Sequence, residues 1–264
     1  MKVLFRFRLV VLLLLLAGNV FSAELGRIYV YVDSNSRESI HNANNFPWKE
    51  VKLDERVFHG YNENATVWCK LIPSTTVIKQ NYFWSFNNIH LDSLIAYKDS
   101  KVFSIQGDRT KGKSEYLNAY TIDPNDWYSG KATCIVAVKK QLSFIDFSIS
   151  LTKRDALQED SLSSFSLFYA FIGFALLLLS LNAYIFWQTR KSIYLYYIGY
   201  SLIGIVYVAV NMGVAKYRLF PNFLYFSEFR IFSGFYWFMF LGIFISKMLN
   251  FKESSPLINR LLVL

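Results

Sequence analysis

Residues 162–187 read LSSFSLFYAFIGFALLLLSLNAYIFW, a run of 26 residues without a charged side chain. As an α-helix this run is about 39 Å long, which exceeds the hydrocarbon core of a bilayer at about 30 Å. Two further apolar runs follow, and a turn with Pro221 separates them. The sequence therefore predicts three membrane-spanning helices, at Leu162–Trp187, Ile193–Ala215 and Phe223–Leu249.

The first residues have the pattern of a secretory signal peptide. The basic residues Lys2, Arg6 and Arg8 precede the apolar run Leu9–Ala17. This run is too short to cross a bilayer. Val20 and Ser22 then supply the two small residues that precede a cleavage point. We expect residues 1–22 to be removed by cleavage after Ser22. The alternative is an uncleaved membrane anchor.

Residues 24–160 are polar and have the pattern of short β-strands. Four segments are rich in β-branched and aromatic residues or alternate between apolar and polar ones: Arg27–Val32, Thr66–Ile72, Thr133–Val138 and Ile145–Leu151. Turn-forming residues recur between them, as at Asp123-Pro124-Asn125-Asp126. Many short strands without helical periodicity predict an antiparallel β-sandwich over residues 24–160.

The net charge of +9 is unevenly distributed along the chain. Residues 24–160 contain 17 basic and 17 acidic residues, so the predicted β domain is neutral. The excess lies in the leader and in the segments that flank the apolar runs. This distribution is typical of membrane targeting and orientation rather than of a phosphate-binding face. We expect membrane lipid as a partner and no nucleic acid.

The polar residues do not form a pattern typical of catalysis. The three histidines are far apart and lack the spacing of a metal site: His41, His59 and His90. The sequence also has neither a nucleophile elbow nor a nucleotide-binding loop. We therefore predict no enzyme, no catalytic residue, no metal ligand and no cofactor.

Cys69 and Cys134 are the only cysteines, and both lie in the predicted exported domain, where thiols tend to be oxidised. Each shares its strand parity with apolar neighbours, so we expect both to face the core. Two alternatives remain: a disulfide between neighbouring strands, or two buried free thiols. The geometry of the strands decides between them.

Export of the β domain sets the orientation of the helices. The first span then runs from outside to inside, so that Arg190-Lys191 lies in the cytoplasm, as the positive-inside rule expects. Lys247 falls on the same side, whereas Lys216 and Arg218 fall outside. An aromatic belt is expected at the inner interface, formed by Tyr194, Tyr196, Tyr197 and Tyr200.

The last residues have the pattern of a further element. Ser254-Ser255-Pro256 is a typical helix start, and mostly apolar residues follow it to Leu264. We interpret residues 256–264 as the start of a truncated fourth helix. Either the chain is a fragment of a longer protein or its reading frame closes early.

Residues 190–200, RKSIYLYYIGY, continue to Asn211-Met212-Gly213 and Leu219-Phe220-Pro221. They resemble the early membrane region of bacterial seven-transmembrane receptors with diverse intracellular signalling modules. Four further segments are similar to that family's carbohydrate-binding, jelly-roll type of sensor domain: Val67–Lys70, Leu91–Tyr97, Gln106–Asp108 and Cys134–Val138. The similarity covers about residues 45–264. Lys70 stands where the family usually has arginine, and three of its seven spans are present.

The resemblance implies an all-β, jelly-roll-like sandwich ectodomain followed by an incomplete α-helical transmembrane bundle of three spans. It implies a receptor of the bacterial inner (cytoplasmic) membrane, with its N-terminal domain in the periplasm or outside. The ligand would be a small molecule, of the carbohydrate class. The family's output module, often a diguanylate cyclase or histidine kinase, is not in this sequence. An incomplete bundle also predicts weak stability or a homo-oligomer.

Two points stay open in this interpretation. In such a jelly roll the strands of Cys69 and Cys134 are neighbours, which favours the disulfide. Trp84, Trp127 and Tyr128 lie next to turns and are candidates for stacking on a sugar ring, the alternative being packing in the core. A different function is a membrane-anchored envelope protein that recruits a partner and binds no small ligand.

We predict that the mature protein begins at Ala23, because the charged start, the short apolar run and the small residues form one cleavable signal. N-terminal sequencing of protein taken from the membrane fraction measures this. Recovery of Met1 would mean that the leader is an anchor.

Overall fold

The computed structural model describes residues 26–249 except 61, 63, 75, 76, 79, 112–115, 129–132 and 142. The predicted signal peptide (1–22) and the predicted start of a fourth helix (256–264) lie outside the described residues. The chain divides into two compact units, of which the first ends at Gln158 and the second begins at Glu159. The boundary lies two residues before the end of the predicted β domain.

The described residues of the first unit form ten strands in two antiparallel sheets. The strands are β1 (Gly26–Asp33), β2 (Lys49–Val51), β3 (Arg56–His59), β4 (Thr66–Pro73), β5 (Tyr82–Phe86), β6 (Ser93–Lys98), β7 (Lys101–Gln106), β8 (Tyr120–Ile122), β9 (Cys134–Lys139) and β10 (Ile145–Lys153). One sheet has the order β2-β1-β4-β9-β6-β7 and the other β3-β10-β5-β8. The predicted antiparallel β domain is confirmed, and the four predicted strands are β1, β4, β9 and β10.

The two sheets pack face to face because alternate residues of each strand are apolar. On β4, Val67, Cys69 and Leu71 point inward and have no exposed surface. They meet Trp84 and Phe86 of β5 and Ile149 of β10 in one continuous core. Removing this apolar surface from water is the main force that stabilises the sandwich.

A second, smaller apolar cluster covers the outer face of the six-stranded sheet. The chain between β1 and β2 forms a short 3₁₀ helix, Ile40–Asn45, and then places Phe46 beside the sheet. The Phe46 ring lies 4.7 Å from the ring of Tyr31 and 5.5 Å from that of Trp68. Trp48 donates its indole N–H to the carbonyl of Ala43 at 3.0 Å and so holds this segment in place.

Gly107 allows the chain to leave β7 close to the start of β6. Its φ of +132° lies in a region that side chains rarely adopt. A Cβ at this position would stand 2.5 Å from the carbonyl oxygen of Asp92 and 2.8 Å from the Cα of Ser93. The amide of the next residue, Asp108, donates to the carbonyl of Leu91 at 2.8 Å. Only glycine fits at this position, where the two backbones come this close.

Three helices follow that are long and apolar enough to cross a membrane: α1 (Arg154–Thr189), α2 (Ser192–Asn211) and α3 (Phe226–Met248). Helix α1 begins directly after β10, eight residues before the predicted span. Residues 154–161 are mostly polar but belong to the helix. Helix α2 ends at Asn211, and Ala215–Leu219 forms a π-helical turn. Most apolar side chains of these helices are exposed, which a bilayer tolerates and water does not.

Glycines let large rings fit between α2 and α3. Trp237 of α3 stacks on Tyr207 at 4.9 Å and on Tyr200 at 5.9 Å, between ring centroids. A Cβ on Gly204 would lie 2.9 Å from the indole nitrogen of Trp237, and one on Gly234 would lie 3.0 Å from the ring of Tyr207. Tyr200 therefore packs between helices rather than serving only in the expected belt. Close packing of this kind is what holds helices together in lipid.

We predict that Gly107→Ala destabilises the sandwich by about 3 kcal/mol or more, because the new methyl group meets backbone atoms that cannot rotate away. Gly60→Ala is the matched control, since a Cβ there meets nothing within 4 Å and the expected change is within about 0.5 kcal/mol. Denaturant unfolding of the full chain, followed by tryptophan fluorescence, measures both. Equal midpoints for the two variants would contradict the prediction.

Candidate functional site

The aromatic residues that the sequence proposed for ligand stacking lie in or against the core. Trp84 and Trp127 have no exposed surface. Trp84 shares its strand parity with Phe86, and Trp127 turns inward after the short helix Pro124–Asp126. Tyr128 is half-buried and meets the Trp127 ring edge-on at 6.1 Å. In this structure neither tryptophan ring is placed to stack on a ligand from solvent.

A cleft of about 430 Å³ lies instead at one open edge of the sandwich. Strand β7 is the last strand of the six-stranded sheet and β8 the last of the four-stranded sheet, so both edges border it. Its lining residues come from both sheets and from the start of α1: Phe83, Phe103, Ser104, Ile105, Gln106, Thr121, Ile122, Asp123, Asp126 and Arg154. Its volume is within the range of small-molecule sites, about 300–1,000 Å³.

The side chain of Gln106 joins the two sheets at the floor of the cleft. Its amide nitrogen donates to the carbonyl of Thr121 at 2.7 Å and to the hydroxyl of Ser104 at 3.1 Å. Its amide oxygen accepts from the backbone N–H of Thr121 at 3.3 Å. The side-chain amide of Gln106 therefore bonds the backbone of Thr121 as a neighbouring strand would, and it holds β7 and β8 at a fixed distance.

A short turn positions the acidic residues of the cleft. Asp123 caps the helix Pro124–Asp126, because its Oδ1 accepts from the backbone N–H of Asn125 at 2.8 Å and from the Asn125 amide at 2.9 Å. Pro124 is buried and anchors the turn to the domain. Asp126 is exposed at the rim, so the turn presents a second carboxylate to the cleft.

The basic residue of the cleft is Arg154, the first residue of α1. The start of this helix is held against the four-stranded sheet by Leu157, which is buried with Phe83 and Tyr116. The rings of Phe83 and Tyr116 meet edge-on at 6.0 Å. Because Phe83 lines the cleft as well, the same side chain contacts both the cleft and the first turn of α1.

This lining is suited to binding a polar, uncharged or weakly charged molecule. Carboxylates accept hydrogen bonds from hydroxyl groups, a guanidinium donates them, and bonds to charged groups are stronger than neutral ones. Phe83 and Phe103 add apolar surface for the less polar face of a ligand. Neither a histidine nor a cysteine is among the described lining residues of the cleft.

The described residues contain no group of three or more His, Cys, Asp or Glu side chains arranged to hold a metal ion. A larger cavity of about 750 Å³ lies beside β2 and is lined by charged residues such as Arg27, Glu50 and Lys52. None of its described lining residues belongs to α1. The edge cleft is therefore the candidate that connects a binding site to the membrane part of the chain.

Sequence reasoning missed this cleft, although it noted some of its residues. Gln106 belongs to the segment Gln106–Asp108 that resembles the receptor family, and Asp123 and Asp126 belong to a recognised turn. The sequence shows a turn with two acidic residues, Asp123 and Asp126, but this turn and the helix that begins at Arg154 are far apart along the chain. Only the pairing of β5 with β8 and β10 brings these positions together.

The two cysteines are free thiols on neighbouring strands. Strand β4 pairs with β9, as the resemblance implied, but Cys69 is opposite Val136 and Cys134 is opposite Leu71. The two side chains are therefore diagonal neighbours, and diagonal positions are about 7–8 Å apart at the Cα atoms, beyond the 4.4–6.8 Å usual for a disulfide. Of the two alternatives, the structure has the free thiols. Burial raises the pKa of both Cys69 and Cys134.

No protein-family model matches the chain, and no curated protein matches it either.

We predict that neither thiol reacts with a thiol reagent in the folded protein, because both are buried and the raised pKa removes the reactive thiolate. Denaturation without a reductant should release two reactive thiols per chain. Thiol titration before and after denaturation measures this. Zero thiols after denaturation, rising to two only with reductant, would show a disulfide and a shifted β4–β9 register.

Proposed function

We propose that this chain is the sensing and membrane-crossing part of a bacterial receptor, and that its β-sandwich binds a small carbohydrate in the cleft beside Arg154. One observation carries the proposal: the first residue of α1 lines the cleft. A ligand in the cleft would contact the sandwich and the helix that leads into the membrane at the same time.

The chain has no linker between the cleft and the helix. Strand β10 ends at Lys153 and α1 begins at Arg154, and α1 continues without a break to Thr189. A ligand that contacts both Arg154 and the turn Asp123–Asp126 would favour one position of the first helical turn. Transmission requires this kind of differential contact between two states.

The chemistry of the lining supports a carbohydrate as the ligand class. A sugar ring presents many hydroxyl groups and one less polar face. The carboxylates, the guanidinium and the hydroxyls of Ser104 and Thr121 match the hydroxyl groups, and Phe83 and Phe103 match the less polar face. The resemblance of residues 45–264 to receptors with a carbohydrate-binding type of sensor domain points to the same class.

The proposed location is the bacterial cytoplasmic membrane, with the sandwich on the outer side. The leader supports export of the first domain. The positions of the basic residues support the orientation, because Lys247 of α3 lies over the ring of Tyr196 near the start of α2 and therefore at the same end as Arg190-Lys191. In receptors of the resembling family the read-out is a cytoplasmic module such as a diguanylate cyclase or histidine kinase.

The test is a binding screen of the purified full chain against neutral mono- and disaccharides by calorimetry. We predict that Asp126→Asn weakens binding of any sugar found by about 10-fold or more, because a hydrogen bond to a charged group is worth about 1.5–3 kcal/mol. Glu50→Gln, which changes an exposed acid beside the other cavity, is the matched control and should bind as the wild type does.

Hydrogen–deuterium exchange of the full chain with and without the bound sugar tests coupling to the helix. Bound sugar should slow amide exchange at residues 155–158 in the wild type, and Arg154→Gln should abolish this protection while sugar still binds. Equal effects of Asp126→Asn and Glu50→Gln would place the site elsewhere. The absence of binding to every sugar tested, together with capture of an envelope protein, would favour the alternative of a membrane-anchored recruiting protein.

A further inference from the structure

Three exposed positive charges of the described helical residues share one end of the helical unit. Arg190 and Lys191 connect α1 to α2, and Lys247 is in the last turn of α3. The Lys247 ammonium lies 5.8 Å from the centroid of the Tyr196 ring, so the end of α3 lies beside the start of α2. The three cations therefore share one end of the unit, and all three are exposed.

Acidic side chains do not neutralise this end within the described residues. Neither 187–200 nor 240–249 contains an aspartate or a glutamate. The ion pairs Arg56–Asp146 and His90–Asp108 both lie in the β domain. Arg190 and Lys247 instead lie over aromatic rings: Arg190 is 4.7 Å from the ring of Trp187, and Lys247 is over the ring of Tyr196. A cation held over a ring keeps its charge and its hydrogen-bond donors.

The opposite end of the unit is built differently. Lys216 donates its ammonium to the carbonyl of Phe223 at 2.9 Å and lies over the ring of Phe226. Glu228 lies in the first turn of α3 and adds a negative charge at that end. The Lys216 ammonium is therefore used within the protein, whereas Arg190, Lys191 and Lys247 are exposed.

Exposed apolar side chains surround the three cations. Trp187 is 68% exposed, Leu195 54% and Met248 54%. These surfaces are stable only against lipid chains, and the cations beside them lie where phosphate groups of the bilayer begin. A phospholipid is a single ligand that offers both an acyl chain for the apolar surface and an anionic head group for the cations.

We propose that Arg190, Lys191 and Lys247 form a binding surface for the head groups of anionic phospholipids. The surface is distinct from the ligand cleft and lies in the helical unit. It gives this end of the helices a preference for an anionic leaflet and holds the ends of α1, α2 and α3 at the depth of the phosphates. Each such cation near an anionic surface contributes a factor of about five to lipid affinity.

The experiment reconstitutes the full chain in phosphatidylcholine vesicles at low salt. Trace spin-labelled phosphatidylglycerol or spin-labelled phosphatidylcholine is added, and the fraction of motionally restricted label gives the relative affinity. We expect the wild type to prefer the anionic label. The triple variant Arg190→Gln, Lys191→Gln, Lys247→Gln should bind both labels equally, and 0.5 M salt should reduce the wild-type preference because it screens exposed charges.

Two control variants separate the surface from general charge and folding effects. Arg218→Gln removes an exposed cation at the opposite end and should keep the preference. Arg190→Lys, Lys191→Arg, Lys247→Arg keeps the charges and should keep the preference too. No anionic preference in the wild type, or a preference that survives in the triple glutamine variant or disappears equally in Arg218→Gln, would overturn the proposal.

A soluble phosphate is the other source of the same chemistry. Glycerol 3-phosphate, added at the same phosphate concentration as the anionic lipid, should leave the preference unchanged because it lacks acyl chains. Displacement of the anionic label by glycerol 3-phosphate would show that the surface binds a free phosphate and that the lipid assignment is wrong.

Discussion

Strand β10 is the element on which the arrangement of the four-stranded sheet depends. Its first residues pair with β3, from Ile145 to Ser148, and its last residues pair with β5, from Ile149 to Lys153. The strands β3 and β5 are joined in one sheet only through β10. The inward residues Ile145, Phe147 and Ile149 are buried in the core, so pairing and packing reinforce each other. The position of β5 then fixes β8, and with it one wall of the cleft.

The same strand explains why the cleft and the first apolar helix meet at Arg154. The end of β10 is paired with β5 as far as Lys153, and α1 starts at the next residue. The first turn of the helix adds its own anchor through Leu157. The cleft therefore has walls of two kinds: β7 and β8, which Gln106 holds at a fixed separation, and the start of α1. Under the proposed function, a ligand that contacts both kinds of wall would shift the start of α1 rather than the two strands.

The sequence predicts the elements of this chain better than the site. Enrichment in β-branched and aromatic residues located β1, β4 and β9, and alternation of apolar and polar residues located β10. The length of three mostly apolar runs located the three helices. The early start of α1 was not predicted, because residues 154–160 are charged and look like the end of a soluble domain. The inward direction of Trp84 could have been read from its parity with Phe86. The cleft could not be predicted, because its residues are spread from Phe83 to Arg154 and only long-range pairing joins them.

The contrast between α1 and the α2–α3 pair has a consequence for biogenesis. The span of α1 has no charge between Leu162 and Trp187, so it can leave the translocation channel for lipid by itself. Helix α3 carries Glu228, Arg230 and Lys247, which make its solitary entry into lipid more costly. The stacked rings of Tyr200, Tyr207 and Trp237, seated against Gly204 and Gly234, offset part of that cost when α2 and α3 enter together. The helices would therefore enter lipid in two steps, α1 by itself first and a preassembled α2–α3 hairpin second.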